Sequence, residues 1–401
     1  MSFDADVIVV GGGLAGLSAG ITANREGLSI LILERGEYSG AKNVSGGRMY
    51  VHALKSLVNI EEAPLEKPIV RETYEIACGE KRLTFSFYDP NTRNSYSVLR
   101  AKFDPWLAKK AEEEGVLVMY ETLVHDAVRE NQGITVRTNR GDLRAKLVIE
   151  ADGVTAGVSR YLGLRSLSPD SLMLGVKEVI KPDNVPEEGE ARVLVGYLNG
   201  LLGGGFMYVN KDTLSIGATV KVNSLQKERV LARDIVEDLR TKLGVEGEIL
   251  EYSAHLIPYY GYTKLPPLTA PNLLVTGDAA GFLINDGFVI RGMDLAIGSG
   301  IVAGRAAKKI LDLGDLSNTK IYEDMLQESF VMKDLKTASR AFQLMNNERL
   351  FRVYPELFCR VLSRMFTVEG ERKTLMTVFQ EEVKRDGLTL TQVVRDLTKV
   401  M

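Results

Sequence analysis

The run Val7-Ile8-Val9-Val10, followed at once by Gly11-Gly12-Gly13-Leu14-Ala15-Gly16, constrains this chain more than any other feature. Four consecutive apolar, mostly β-branched residues read as a strand buried on both faces, and the helical pattern continuing to Arg25 reads as the helix that follows it. Glycine is demanded between them: Gly11 for a tight turn, Gly13 so that the backbone can approach a pyrophosphate, and Gly16 so that the helix packs against the strand. Gly12 and Ala15 complete the loop, and the helix N-terminus faces the phosphates. A second apolar run, Ser29 to Leu33, ends at Glu34 and Arg35, where a carboxylate accepts hydrogen bonds from an adenosine ribose. An α/β fold that binds a dinucleotide follows.

Two distant segments choose the dinucleotide. Leu147-Val-Ile-Glu-Ala-Asp152-Gly153 is a further buried strand ending in an acidic turn, and Asn272-Leu-Leu-Val-Thr-Gly277-Asp278-Ala-Ala-Gly281 runs from a strand into Gly-Asp and small residues. An aspartate at a strand's carboxyl end can hold a ribityl hydroxyl, and a helix beginning beyond Gly287 can aim its first amides at a flavin pyrimidine ring. That pattern suits FAD rather than free NAD. The plainer alternative is that Asp278 only caps the helix after it.

Composition removes other classes. Fifty basic and 53 acidic residues among 401 leave a net charge of −3, which argues against a nucleic-acid binder. Two cysteines, Cys78 and Cys359, cannot form a disulfide framework, and a chain of this length needs none to bury a core. With only His52, His125 and His255 beside them, no zinc or iron–sulfur spacing exists, so no metal site is expected and any metal comes from a partner. Met1 to Asp6 carries two aspartates and no basic residue, and the apolar run beyond is cut by glycines. Neither a signal peptide nor a spanning helix fits, so a cytoplasmic protein is expected, with contact to a membrane surface left open.

Longer, irregular motifs then narrow the family. Gly40-Ala-Lys42-Asn43-Val-Ser-Gly46-Gly47-Arg48-Met49-Tyr50, Leu174 to Val179, Gly203 to Tyr208 with Asn210 to Ser215, Ala254-His255-Leu-Ile-Pro258, and Gly277 to Asp294 resemble FixC-type dehydrogenases. These are similar to electron-transfer-flavoprotein:quinone oxidoreductases and belong with the geranylgeranyl reductase superfamily. The resemblance covers nearly the whole chain and implies a glutathione-reductase-type, Rossmann-like FAD domain with an inserted antiparallel β-sheet quinone domain and a helical C-terminal region. It implies that Lys42, Asn43, Gly46 and Gly47 pass the flavin and phosphates, where a cation stabilises reduced FAD. It likewise brings Gly287, Gly292 and Met293 to the ring, Val124 to the adenine, and Arg100 to a phosphate or flavin oxygen. An ordinary salt bridge from Arg100 to Asp104 is the alternative, and Asp104, ahead of Pro105, reads as a helix N-cap.

The expected organisation is an FAD domain in three pieces, residues 1–40, 97–167 and 266–314. An antiparallel-sheet domain from 41–96 and 168–265 covers the flavin, and residues 315–401 form helices. Ser224 to Leu243 reads as one surface helix with Val230, Leu231, Ile235 and Leu239 inward. His255 is a candidate proton carrier, although a lone histidine is more often structural. Phe206, Tyr208, Phe282, Tyr259, Tyr260 and Tyr262 could line an apolar tunnel with a phenol on a quinone carbonyl, the alternative being ordinary core. No catalytic residue is fixed beyond the candidates His255, Tyr259 and Tyr260, because an isoalloxazine exchanges electrons itself.

In the tail, Leu357, Phe358, Val361, Leu362, Met365 and Phe366 share a face, with Arg360 and Arg364 on another. That helix can lie in a lipid interface or dock on the body of the protein. The resemblance implies an FAD-dependent oxidoreductase, peripheral on the cytoplasmic face of the membrane. It would take electrons from electron-transfer flavoprotein subunits, directly or through a small ferredoxin-like iron–sulfur subunit, and pass them to menaquinone or ubiquinone. In such complexes electron bifurcation resides in the partner flavoprotein. Prenyl double-bond reduction, flavin-dependent hydroxylation and a redox-silent scaffold are the competing readings.

Overall fold

The apolar run near the N-terminus forms the strand Ala5–Val10, at the centre of a parallel sheet in the computed structural model, which describes residues 3–41, 47–130, 132–287 and 289–398. Ile30–Leu33 and Leu117–Met119 pair in parallel on one side, Gly141–Glu150 and Leu273–Val275 on the other. Val7, Ile8, Val9, Ile32, Val148 and Ile149 are wholly buried, as strands covered on both faces must be. Val124–Glu130 and Gly133–Thr138 extend Gly141–Glu150 as an antiparallel flap.

Helices Leu14–Arg25 and Met293–Leu313 cover this sheet and cross each other closely. Small residues make that crossing possible: a Cβ on Gly300 would lie 2.3 Å from the Ala15 carbonyl oxygen, and one on Gly304 2.7 Å from that of Ala19. The glycines of the late helix are therefore set by its neighbour.

A second sheet of nine strands stands beside the first. Its order begins at the edge strand Glu248–Pro258 and runs through Leu172–Lys181, Leu214–Lys221, Gly203–Val209, Gly189–Val195 and Leu65–Cys78 to Ser95–Val98 and Arg48–Tyr50, with Lys81–Tyr88 hairpinned on Leu65–Cys78. One pairing departs from the antiparallel expectation: Gly189–Val195 lies parallel to Leu65–Cys78. Strands that meet far from any hairpin turn are free to run the same way.

Two local expectations need correction. Ser224 to Leu243 is two helices, Val222–Glu228 and Ala232–Leu243, because Arg229 adopts a left-handed conformation at φ 54°. Ile235, Val236 and Leu239 pack on the sheet, but Leu231 lies outside the helix and is 55% exposed. Asp104 is not the N-cap: the helix begins at Arg100 with Leu99 before it, and Asp104 is buried one turn in, forked to Arg100.

Of the two readings left open for the tail helix, packing against the protein describes Tyr354–Phe366, whose apolar face is not presented to solvent. Leu357 and Val361 pack with Val378, Val383 and Val393 from the last two helices, and Phe358 and Met365 lie against that cluster. Arg360 and Arg364 bridge to Glu382, and Arg360 also to Asp386. Burial and ion pairing thus consume most of the face that could otherwise meet lipid, and Phe366 at its end protrudes, 83% exposed. Cys78, ending the strand Leu65–Cys78, and Cys359 in this helix are joined as a disulfide across a sequence separation of 281 residues. It ties the nine-stranded sheet to the C-terminal helices, a link the sequence did not suggest.

Candidate functional site

Where the strands of the parallel sheet end, the chain encloses a cavity of about 360 Å³. Its floor is the glycine loop. Gly11 sits at φ +107°, and a Cβ there would lie 2.4 Å from the Ala151 carbonyl oxygen; a Cβ on Gly16 would lie 1.9 Å from that of Gly11. Only bare backbone fits, which holds the loop flat beneath whatever fills the cavity. Gly11, Gly13 and Ala15 line it, whereas Gly12 and Gly16 act behind it. The Gly12 N–H donates to Glu34 Oε2 at 2.8 Å and the Gly36 N–H to Oε1 at 2.7 Å. Glu34 is thereby fixed at the cavity wall with Arg35 beside it, and Thr122 is tied to the Glu34 carbonyl by its own N–H, bringing Val124 alongside.

The acidic turn at Asp152-Gly153 forms the next wall. Asp152 Oδ2 accepts the Gly157 N–H at 2.7 Å, while Oδ1 is buried with no partner. Burial, reinforced by the negative charge of Glu150, pushes this carboxyl up to about 8. Glu150 is also raised, by burial against the opposing hydrogen bonds of Ser159.

Across the cavity stand Asp278, Gly292 and Met293, the last opening the long helix. His255 and Ile257 close the wall from the edge strand, and His255 Nε2 lies 4.0 Å from Asp278 Oδ2. Arg100 reaches the cavity while forked to Asp104, so the salt bridge and the lining position coexist. Gly47 is present too; Lys42, Asn43 and Gly46 lie outside the described residues.

Several expected residues stand elsewhere. Gly277 supports the site from behind, where a Cβ would meet that of Ala15 at 2.7 Å; Gly281 gives way to the ring of Tyr260. Phe282 is core, Tyr262 packs against the same core, and Tyr260 lines neither this cavity nor the one beside it. Gly287 and Tyr259 belong to that neighbouring cavity, whereas Phe206 and Tyr208 line both. Sequence reasoning gave no role to Arg48, Arg160, Tyr161, Thr219, Leu283 or Ile290, all of which line the main cavity. Arg48 was recoverable: it directly follows Gly47 and precedes the wholly buried Met49, so strand alternation sends the two to opposite faces.

A second cluster lies behind the Met293 turn. Asp294, buried, accepts from Arg291 at 2.5 Å and meets His52 Nε2 at 3.0 Å. Burial opposes its charge, but the bonds from His52 and Arg291 prevail and hold the carboxyl below its ordinary range. Arg291 and Arg48 both lie over the ring of Tyr50, at 5.3 and 4.5 Å. This brace fixes the segment from which Ile290, Gly292 and Met293 reach the cavity.

A glycine loop, a carboxylate at the second strand's end, the orphaned Asp152 oxygen and a helix start at the wall suit a flavin dinucleotide. The fold and site define an FAD-dependent oxidoreductase, and residues 6–192 match the family model for FAD dependent oxidoreductases. Residues 341–401 match the C-terminal domain of the ETF-QO/FixC family. The chain is 36% identical to the probable electron transfer flavoprotein-quinone oxidoreductase YdiS of Escherichia coli K12, over 96% of this chain and 95% of that protein. It is 33% identical to protein FixC of Bradyrhizobium diazoefficiens, over 92% and 91%. This chain belongs to the FixC/ETF-QO family. A geranylgeranyl bacteriochlorophyll reductase-like structure from Thermoplasma acidophilum superposes with a TM-score of 0.74 at 20% identity, covering 99% of each chain. The flavin-dependent halogenase CmlS does so at 0.63 and 19%, covering 96% of this chain and 78% of its own. Both show the shared fold.

Proposed function

We propose that this protein carries electrons from an electron-transfer flavoprotein to a quinone. The observation that carries the reading is the neighbouring cavity of about 60 Å³, which shares Arg48, Phe206, Tyr208, Thr219 and Ile290 with the main one. An apolar acceptor would thus reach the reactive edge of the cofactor without crossing water. Met173, Val193 and Leu202 give this second space an apolar wall, Gly203 to Gly205 leave it free of side chains, and Met345, Leu350 and Phe351 close it from the C-terminal region. Tyr208 stands between the cavities, its phenol pushed up to about 12 by burial, and so remains a hydrogen-bond donor at neutral pH. Tyr259 faces the second cavity, its phenol also raised by burial. Such donors, placed beside the apolar wall of a chamber that Arg192, Lys221 and Asn285 also line, suit a quinone carbonyl.

Bound FAD accepts and releases one or two electrons; the chain's part is to hold it, exclude water and orient the acceptor. Both cysteines of the chain are joined to each other, so an iron–sulfur carrier between donor and FAD would be a separate small subunit. Among the described residues no helix is long and apolar enough to cross a membrane. Contact with the lipid that carries the quinone is assigned instead to the protruding Phe366, Val368, Leu375 and Met376, each more than half exposed, with Arg372 and Lys373 in the same turn.

The test is to reduce the purified flavoprotein under anaerobic conditions and follow flavin reoxidation by a short-chain menaquinone or ubiquinone analogue. Tyr208→Phe should bind FAD normally and slow reoxidation at least tenfold. Oxidation by prenyl double bonds and not by either quinone would replace this reading with the reductase one.

A further inference from the structure

A quinone becomes a quinol by taking two electrons and two protons, one proton on each of its opposed oxygens. Resting on the quinone reading above, one oxygen faces the main cavity beside Tyr208 and the other faces residues that line the second cavity alone. Electrons handed on by a protein partner arrive without protons, so each turnover draws both protons from water. The far oxygen therefore needs a side chain that joins the chamber to solvent and can release a proton.

Three cations line the second cavity among the described residues, Arg48, Arg192 and Lys221. Arg48 is bridged to Glu72 and Arg192 to Glu190, and a guanidinium keeps its protons inside a protein. Lys221 differs on both counts: its ammonium bonds an amide oxygen, Oδ1 of Asn346, and an amine can let a proton go.

Strand alternation places it. Lys221 ends the strand Leu214–Lys221 two residues beyond Thr219 and on the same face, opposite Met173. Thr219 lines both cavities, whereas Lys221 lines the second without reaching the first. Its ammonium stands 5.4 Å from the centre of the Tyr259 ring, inside that chamber. Asn346, which it bonds, is exposed, and so is Glu348 close by. One side of Lys221 is thus in the chamber and the other at the water. Burial lowers its hold on the proton against the pull of the Glu348 charge, so it gives one up more readily than a surface lysine.

We propose that Lys221 is the proton donor to the quinone oxygen turned away from the cofactor. As two electrons enter the quinone ring, an Nζ–H bond breaks and an O–H bond forms at that oxygen, leaving a neutral amine. The amine regains its proton from water at the Asn346 edge, and the near oxygen takes the other proton from the cofactor side. One quinone, two electrons and two protons give one quinol. Tyr259, its phenol raised by burial, keeps its own proton and does not compete for the role.

The test reduces the FAD-loaded protein and offers it two acceptors, a short-chain menaquinone analogue and ferricenium, which takes an electron and no proton. Lys221→Met should lower the ratio of quinone to ferricenium reoxidation rates at least tenfold. Lys221→Arg keeps the charge but not the releasable proton, and should be as slow. In the wild type the quinone rate should fall at alkaline pH as Lys221 deprotonates, earlier than an exposed lysine would, and both variants should lack that fall. Tyr74, Tyr208 and Tyr259, all raised by burial, titrate above it. Equilibrium dialysis of the oxidised protein should find a hydroxynaphthoquinone anion bound at least fivefold more weakly by Lys221→Met but not by Lys221→Arg. If no quinone reoxidises the wild type, the quinone reading falls and this role with it. If quinone reoxidises the wild type, and Lys221→Met stays within twofold of it or Lys221→Arg restores the full rate, the proton role alone is overturned.

Discussion

Replacing Gly16 with alanine should weaken cofactor binding although Gly16 itself does not line the cavity. The added methyl would stand 1.9 Å from the Gly11 carbonyl oxygen and 3.2 Å from Val9 Cγ1. A carbon and a carbonyl oxygen settle no closer than about 3.3 Å, so one of them must retreat by about 1.4 Å. The helix cannot: its other side abuts the long helix at Gly300, where there is no slack. The Gly11 carbonyl moves instead, and it shares a rigid peptide plane with the Gly12 N–H. That N–H now bonds Glu34 Oε2 at 2.8 Å, and turning the plane this far carries the bond beyond 3.5 Å. Losing a hydrogen bond to a carboxylate costs about 1.5–3 kcal/mol, or about 10- to 150-fold in FAD affinity if the loss falls on the bound state. Flavin fluorescence quenching on titration of the apoprotein measures this. Gly27→Ala is the control, since Gly27 has positive φ but nothing within 4 Å of its would-be Cβ; it should lower stability by about 1–2 kcal/mol and leave FAD affinity unchanged. A folded Gly16→Ala protein with FAD affinity within twofold of wild type would refute the reasoning.

Further outcomes follow from other contacts. Asp152 is neutral at low pH in the fold, with its carboxyl raised to about 8 by burial and by Glu150, against about 3.9 when unfolded. Its contribution to stability is complete below about pH 4 and lost as pH rises through 8; melting of the flavin-free protein should show this fall and Asp152→Asn should not, parallel curves counting against the assignment. Glu34→Gln leaves one of the Gly12 and Gly36 amides facing a donor and should cost about 1.5–3 kcal/mol in urea unfolding. Thiol titration of denatured, unreduced protein should find no free thiol, and Cys359→Ser should lower stability by about 2–5 kcal/mol; two thiols before reduction would contradict the Cys78–Cys359 bond. Phe366→Ser with Met376→Ser should release the protein from anionic liposomes with FAD retained, whereas serine at Leu357 should unfold the terminal helices first. Undiminished liposome binding would move the contact elsewhere.

What the sequence made legible is what backbone sterics dictate locally. The loop from Gly11 to Gly16 can be only one thing between a β-branched run and a helix, and Glu34 and Asp152 follow from where the paired strands stop. The crossing at Gly300 and Gly304 of the helix Met293–Leu313 was not legible, because its partner lies near the N-terminus. Distant pairing was the blind side. That Cys78 meets Cys359, that Glu382 takes Arg360 and Arg364, and that the apolar face of Tyr354–Phe366 is already occupied all depend on tertiary neighbours hundreds of positions away or in an unpredicted helical hairpin. Asp104 failed for a nearer reason: a proline was read as a helix start, yet the backbone tolerates Pro105 in an early turn while Arg100 claims the carboxylate.

The order of strands in the parallel sheet also governs when the protein can first hold its cofactor. Ala5–Val10 and its neighbour Ile30–Leu33 leave the ribosome early, but Gly141–Glu150 on the other side, Leu273–Val275 beyond it and the capping turn at Met293 are translated far later. A nascent chain therefore exposes an unfinished, strongly apolar sheet for most of its synthesis, and a fragment ending before Met293 lacks one wall of the flavin chamber. Flavin shortage and premature termination should then converge on one fate, recognition by chaperones and proteases that read uncovered strand edges.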